Sequence, residues 1–358
     1  MVIPAWVSAD GPSNDIALST RARLARNIEG SPFPTRAREA DLKRIANRVL
    51  DAVDSFDGSH RIGKLRVIRP SHLSGFERLA LVDAHMASRQ HVDGGNYRPI
   101  VLNDVGTLSL MVNEEDHLRI QCILPGLQPM MALQIAQEFD GFLASKITYA
   151  YTDNYGYLTS SLANVGTGLR LSVMLHLAGL AFLEEAVPTL TAAAELKISV
   201  RGLYGEGTKA FGDIFQVSNE TTIGFTEKEI TSRIRAAAEH LISRERAARR
   251  KIIAERKSEL REAVEQVRTA LMEARTLSGR EAMTYLSILR LGSEVGMGLS
   301  LSTKIFNELL VSMQVGISTG RSMGSVGSDV RRAKLIRETL AQEFASVQLV
   351  FPEVEQES

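Results

Sequence analysis

A chain of 358 residues with 44% hydrophobic and 23% charged side chains has the make-up of a soluble globular protein of one large domain or two. Lys and Arg total 42, as do Asp and Glu, so no global field points to nucleic acid or to a membrane surface. The single cysteine, Cys122, excludes an internal disulfide and a cysteine-based zinc site; with no apolar run of bilayer length and no signal-peptide pattern, a cytoplasmic location is expected.

In chain order, residues 16–27 set Arg21 and Arg23 among small or apolar neighbours, so in a strand both project from one face. The pair reads either as an exposed strand face or as one side of a polyanion site. Ser31-Pro32-Phe33-Pro34 breaks the chain, and 40–53 has the apolar spacing of a surface helix. Strands are expected at 64–68 and 99–102, with a helix between them at 76–86. His85 near its end is of structural or ligand character. Two alternating apolar runs, 108–112 and 118–124, flank Asn113-Glu114-Glu115-Asp116-His117 and read as two connected strands. Three acids and a histidine beside Arg119 form either a solvated turn or a site facing something charged. Cys122 falls in the second run as a buried, inert thiol.

The spacing predicts a helix over 131–143 and a strand over 147–151. The polar, glycine-containing stretch 158–168 feeds a predicted helix over 169–180, whose N-terminus either offers backbone N–H groups to an anion or is an ordinary cap. Strands are expected at 197–200, 214–217 and 222–225. After the first comes Arg201-Gly202-Leu203-Tyr204-Gly205-Glu206-Gly207, whose glycines suit a ligand loop or a plain hairpin turn. Thr226 forms a capping box with Glu229, and helical spacing then continues with few breaks to Leu277. Its stripe of Ile230, Ile234, Ala237 and Leu241 calls for other helices or a second subunit. Ser278 and Glu281 cap another helix, 301–313 is a third, 316–327 a mobile Gly/Ser-rich loop and 329–344 the last helix. The expected division is a mixed α+β domain over 1–224, a helical domain over 225–350 and a disordered acidic tail over 351–358.

Arg21, Arg23, Arg119, Arg170 and Arg201 each stand near a strand end or loop. Five guanidinium groups suit a triphosphate, since each binds oxygens in bidentate fashion, and phosphoryl transfer asks mainly for charge neutralisation and alignment. Glu115 and Glu206 would not help phosphates; they suit a cationic acceptor.

Ser19-Thr20-Arg21-Ala22-Arg23, Asn113-Glu114-Glu115-Asp116-His117-Leu118-Arg119, Asn164-Val165-Gly166-Thr167-Gly168-Leu169-Arg170 and Arg201-Gly202-Leu203-Tyr204-Gly205-Glu206 resemble, in order, the motifs of the ATP:guanidino phosphotransferases, the phosphagen kinase family. The likeness is nearest to the bacterial branch that phosphorylates arginine side chains of proteins. It runs over nearly the whole chain, including the helical end around Tyr285-Leu286-Ser287-Ile288-Leu289-Arg290-Leu291-Gly292. The resemblance implies an α+β fold: a glutamine-synthetase-like antiparallel sheet flanked by helices, then an all-helical domain for dimerisation and for substrate or phosphoarginine binding. It implies ATP, with Mg2+ held through the nucleotide and no protein metal site. Ser19, Thr20, Arg21, Ala22, Arg23, His85, Arg119, Arg170, Leu171, Ser172, Val173, Met174, Arg201, Gly202, Leu203, Tyr204 and Gly205 would line the nucleotide. Glu115 and Glu206 would grip the acceptor guanidinium, Glu206 being the first candidate for base. The partners implied are protein substrates with accessible arginines, a zinc-containing activator protein, a Clp ATPase acting in stress-linked degradation and a second copy of the chain, with neither nucleic acid nor membrane.

Two positions depart from the family pattern. Ser161, in Ser161-Leu162-Ala163-Asn164, stands where the family has the cysteine of Cys-Pro-Thr-Asn, so a tunable thiolate is replaced by a neutral hydroxyl. That implies reduced turnover or, alternatively, a nucleotide-binding pseudokinase acting as an adaptor. Ser328-Asp329-Val330-Arg331-Arg332-Ala333 replaces the Arg-Asp-x-x-Arg-Ala of a phosphoarginine pocket. Asp329 and Arg332 remain, while the lost first arginine weakens anion binding there.

Overall fold

The computed structural model describes residues 4–58, 61–194, 198–202, 210–297, 301–318 and 325–347. The strands are β1 (Ala17–Arg26), β2 (Leu65–Ile68), β3 (Ile100–Asn103), β4 (Leu108–Val112), β5 (Leu118–Pro125), β6 (Tyr151–Thr152), β7 (Gly156–Tyr157), β8 (Leu169–His176), β9 (Ile198–Gly202) and β10 (Ile214–Asn219). The helices are α1 (Ala5–Ser8), α2 (Glu39–Asp54), α3 (Gly75–Asp83), α4 (Arg89–Val92), α5 (Pro129–Ala144), α6 (Ala178–Phe182), α7 (Ala186–Ala194), α8 (Glu227–Glu255), α9 (Lys257–Glu273), α10 (Gly279–Glu294), α11 (Thr303–Ser318) and α12 (Ser325–Val347). β6 and β7 form a separate two-stranded ribbon; the other eight strands form one sheet in the order β2-β3-β4-β5-β1-β8-β10-β9, antiparallel throughout.

Alternation gives this sheet two unlike faces. On one, Ala22, Leu24, Leu118, Ile120, Cys122, Leu169, Leu171, Val173 and Leu175 are buried in a single core. α5 covers it with Ala132, Leu133, Ala136 and Phe139, and α8 with Ile230, Ile234, Ala237, Leu241 and Ala248. Each large apolar side chain so buried contributes roughly 1.5–3 kcal/mol of transfer free energy. The opposite face is divided. At one end Leu18, Ile123, Met174 and Ile214 join Trp6 and residues of α9, α10, α11 and α12 in a second core. A polar tether reinforces that contact: His176 Nε2 meets Ser287 Oγ at 2.8 Å, and Ser287 Oγ donates to Asp213 Oδ2 at 2.6 Å. The remainder of this face carries the arginines.

Local chemistry sets the helix limits. Thr226 and Glu229 exchange hydrogen bonds as the capping box of α8, and Ser278 and Glu281 do the same for α10. The helical run expected from 226 to 277 is interrupted at Arg256, which leaves helical geometry at φ −132°, ψ 25°. The stripe of α8 lies on the sheet core, while Leu260, Val264, Val267 and Leu271 of α9 lie in the second core. One straight helix cannot face both.

Other expectations need correction. Residues 169–180 are not a helix: they form β8 and then, from Ala178, the five-residue α6. Leu169, Leu171, Val173 and Leu175 repeat every second residue, and all four are fully buried, so the period of two wins. The helix N-terminus expected there, as an anion site or an ordinary cap, is absent with it. Residues 222–225 form no strand; Gly224 at φ +79° turns the chain into the Thr226 cap. Within 147–151 the chain pairs only where Tyr149 bridges Ile28 and where Tyr151 opens β6. The expected loop 316–327 is helical at both ends, since one glycine costs a helix only about 1 kcal/mol. Residues 319–324, within that loop, and the tail 351–358 lie outside the described residues. No helix among the described residues is long and apolar enough to cross a membrane.

Candidate active site

β1 lies between β5 and β8, and its register decides what gathers on the open face. Arg21 stands opposite Ile123 and Ser172, Arg23 opposite Gln121 and Arg170, and Ala25 opposite Arg119. Directly opposed residues of antiparallel strands share a face, so Arg21, Arg23, Arg119 and Arg170 converge. Arg201 of β9 opposes Gln216, which opposes Met174 and so extends the same face. Ser19, Ser172 and Met174 also lie here, around a small gap with Arg21, His85 and Gln216. The intervening residues of the same motifs face elsewhere. Ala22, Leu171 and Val173 enter the core, and the Thr20 hydroxyl donates to the Gly126 carbonyl at 2.7 Å, holding the loop before α5. Gly202 ends β9. Leu203, Tyr204, Gly205 and Glu206 lie outside the described residues.

The electrostatics of this face are unbalanced. Burial and the neighbouring Arg21, Arg119 and Arg170 guanidiniums press Arg23 well below the usual guanidinium range. Burial, Arg201 and Arg119 lower Arg170 in the same way. A guanidinium does not give up its proton in a protein, so this crowding is a standing repulsion that a polyanion relieves. Buried Nε atoms of Arg23 and Arg170 have no hydrogen-bond partner, an arrangement that suits incoming phosphate oxygens. Gln216 stands beside Arg21, its Oε1 accepting from Nη2 at 3.2 Å.

The hairpin between β4 and β5 supplies the acids. Asn113 turns it at φ +60°, and its side-chain amide donates to the Leu42 and Tyr97 carbonyls at 2.9 and 2.8 Å. Glu114 is buried and accepts from Arg119 Nη1 and from Ser88 Oγ, both at 2.6 Å. Burial works to raise its pKa, but Arg119, the Ser88 hydroxyl and the Glu115 N–H outweigh it and hold the carboxyl at about 2. Glu115 is exposed at the cavity edge; burial and the adjacent Asp116 and Glu114 raise its pKa. A carboxylate with raised proton affinity is a better acceptor for a proton leaving a guanidinium.

A second network fixes the loop that carries Ser161. Asp116 Oδ1 accepts from Asn27 Nδ2 and from the Ser160 N–H, both at 2.6 Å, and Ser160 Oγ donates to the Glu115 carbonyl at 2.8 Å. His117 Nδ1 accepts from the Ile28 N–H at 3.0 Å, so its other nitrogen donates to the Pro32 carbonyl. Burial lowers this imidazole to about 4, which keeps it neutral and structural. The outcome is a cavity of about 150 Å3 lined by Glu115, Ser161, Asn164, Arg23, Arg119 and Arg170 among others.

His85 stands at φ +59° just past α3, its ring 5.6 Å from that of Trp6. Burial and Arg21 lower its pKa to about 3, so it offers a neutral imidazole to the gap beside Arg21. Sequence reasoning missed the roles of Glu114 and Gln216. The former was hidden in its own motif as one of three adjacent acids, and only the fold distinguishes the one that holds Arg119. In the helical part, Arg332 is buried and donates to Asp329 Oδ1 at 2.7 Å and to the Leu277 carbonyl at 2.6 Å; Ala333 is buried, and Ser328 starts the same turn. Among the described residues there is no cluster of three His, Cys, Asp or Glu side chains able to hold a metal ion.

An arginine-lined sheet face with an acid at its rim is a site for moving a phosphoryl group to a cation. Residues 44–248 match the family model described as the ATP:guanido phosphotransferase C-terminal catalytic domain, and the chain belongs to that family. Residues 257–349 match a second model, the protein-arginine kinase McsB C-terminal domain. The protein-arginine kinase of Pelotomaculum thermopropionicum is 40% identical over 339 residues, 94% of this chain and 95% of that relative. The one from Moorella thermoacetica is 39% identical over 94% and 97%. Among solved structures, the substrate-free duplicated taurocyamine kinase from Schistosoma mansoni has a TM-score of 0.56 at 24% identity, covering 67% of this chain and 35% of the duplicated one. Lombricine kinase has a TM-score of 0.57 at 21% identity, covering 68% and 69%. These structures share the fold: the antiparallel sheet with flanking helices expected from the motifs is the one found.

Proposed function

We propose that the chain transfers the γ-phosphoryl group of ATP to arginine side chains of proteins. The observation that carries this reading is the convergence of Arg21, Arg23, Arg119 and Arg170 on one face, with Glu115 beside them at a cavity rim. The arginines, Arg201 among them, bind and align the phosphates. Mg2+, entering on the nucleotide, would supply further neutralisation of phosphate charge. Glu115 and Glu206 orient the acceptor guanidinium, and a carboxylate of the pair, Glu206 being the first candidate, takes a proton as the N–P bond forms and the bond from phosphorus to the β-phosphate oxygen breaks. His85 presents a neutral ring towards the nucleotide.

The identity to protein-arginine kinases over nearly the full chain favours a protein-borne acceptor over a free guanidino metabolite. The same proposal includes a zinc-containing activator, a Clp ATPase and stress-linked degradation as partners and setting, a cytoplasmic location and a dimer formed through the helical part. A division at 224/225 belongs to the same proposal, with α8 joining the two parts through the stripe that packs on the sheet core. Ser161 favours one competing reading, a nucleotide-binding adaptor without turnover. Incubation with Mg-ATP and an arginine-rich protein, followed by mass spectrometry under non-acidic conditions, separates the two. Phosphoarginine that disappears in a Glu115→Gln variant upholds the kinase, whereas nucleotide binding with no phosphoarginine at high enzyme concentration sinks it.

A further inference from the structure

A second cavity, of about 350 Å3, opens between α2, the 94–99 loop and the turn at 69–72, and it shares no lining residue with the active-site cavity. Arg69, Arg98, His72, Ser71, Asn47 and Asn96 are among the residues that line it, and no carboxylate does so among the described residues. Two guanidiniums facing one space without an acid repel each other and stay charged. Arg98 is the better anchored of the two. Its side chain lies flat on Gly94, where a Cβ would come within 2.5 Å of Nη1 and 2.7 Å of Cδ. Yet its Nε and Nη1 are buried and have no hydrogen-bond partner. Buried unpaired donors on a cation are costly unless an anion completes them.

We infer that this cavity is an anion site for a tetrahedral phosphoryl group, distinct from the place where ATP binds. A carboxylate presents two oxygens and would leave donors idle; a phosphate offers three or four, matching two guanidinium forks plus hydroxyl, imidazole and amide donors. Lys43 Nζ stands 5.9 Å from the centre of the ring of Tyr97, itself a lining residue, and adds positive charge nearby. The site adjoins the catalytic hairpin, because the Tyr97 carbonyl accepts from Asn113 Nδ2. The group is either free phosphate or a phosphoryl group carried on a protein side chain.

The test uses the full chain with its nucleotide site saturated by magnesium and a non-hydrolysable ATP analogue, so that the active-site arginines are occupied. Inorganic phosphate is titrated by calorimetry against chloride at constant ionic strength. Saturable binding is expected, weakened about tenfold or more in Arg98→Met and in Arg69→Ala, as loss of one charge-assisted contact implies. Arg69 is exposed, so its variant reports even if Arg98→Met folds poorly. Peptides carrying phosphoserine or phosphoarginine form a second arm: tighter binding than phosphate by tenfold assigns a protein-borne group, and equal binding assigns the free anion. No saturable binding by any of these probes, or affinities unchanged in both variants, overturns the site.

Discussion

Arg23 and Arg26 lie three residues apart on β1, on opposite faces of the sheet, and meet opposite surroundings. Arg26 is almost wholly buried, yet every part of its guanidinium is answered. Nε and Nη2 donate to Asp140 Oδ2 at 3.1 and 2.7 Å, and Nη1 donates to the Ala25 and Thr167 carbonyls. The Tyr157 ring lies 3.6 Å from Cζ. Arg23 is surrounded by its own kind, and its Nε is left over. The same side chain on one strand is a fastening on one face and a held-open receptor on the other. What differs is which neighbour the register supplies, a carboxylate from α5 or a guanidinium from β8.

That contrast makes opposite predictions for the two arginines. Arg23→Ala should lower the rate of phosphoarginine formation by about a thousandfold or more, the range seen when an arginine is removed from a phosphoryl-transfer site. Without nucleotide its melting temperature should hold or rise, because a like charge has left the cluster; a clear fall would break the comparison. Arg26→Met should do the reverse. Leaving Asp140 buried without its partner should cost about 3–5 kcal/mol in a denaturant titration, with nucleotide affinity of the folded fraction little changed.

Glu114 sits between these extremes, since its carboxylate holds a catalytic arginine. Glu114→Gln should lower kcat/KM about tenfold to a hundredfold, the worth of one charge-assisted hydrogen bond. Its pKa is depressed in the fold, so the stability it adds is complete above the ordinary value of 4.5 and is lost as pH falls towards about 2. The wild type should lose stability through that window more steeply than the variant, and equal acid titrations would contradict the Arg119 pairing. The smallest change expected is a gain. Ser161→Cys should raise turnover about tenfold if a thiolate stabilises the transition state there, and should bring sensitivity to thiol oxidants.

Much of the site was legible because strand alternation is local. Arg21 and Arg23 on one face followed from their spacing, and the acids between two apolar runs marked a hairpin. The misread element, 169–176, shows where local signals compete: a polar, glycine-bearing approach suggested a helix start, while the alternation of Leu169, Leu171, Val173 and Leu175 carried the true period. Pairings between distant segments were not legible at all. That Glu114 reaches Ser88 and Arg119, or that Asp116 holds Ser160, depends on how the hairpin folds over segments read independently.

The bend at Arg256 bears on how this molecule can be dissected. Because Ile230 to Ala248 roof the apolar side of the sheet, a shortened version ending near residue 224 would strip that roof and expose a wide greasy floor to water. A cut placed just beyond Glu255 would spare it, although Leu18, Ile123 and Met174 would then lose the helices that shelter them. Separating the halves therefore requires new polar side chains at those positions and at Ile214, not merely a well-chosen terminus.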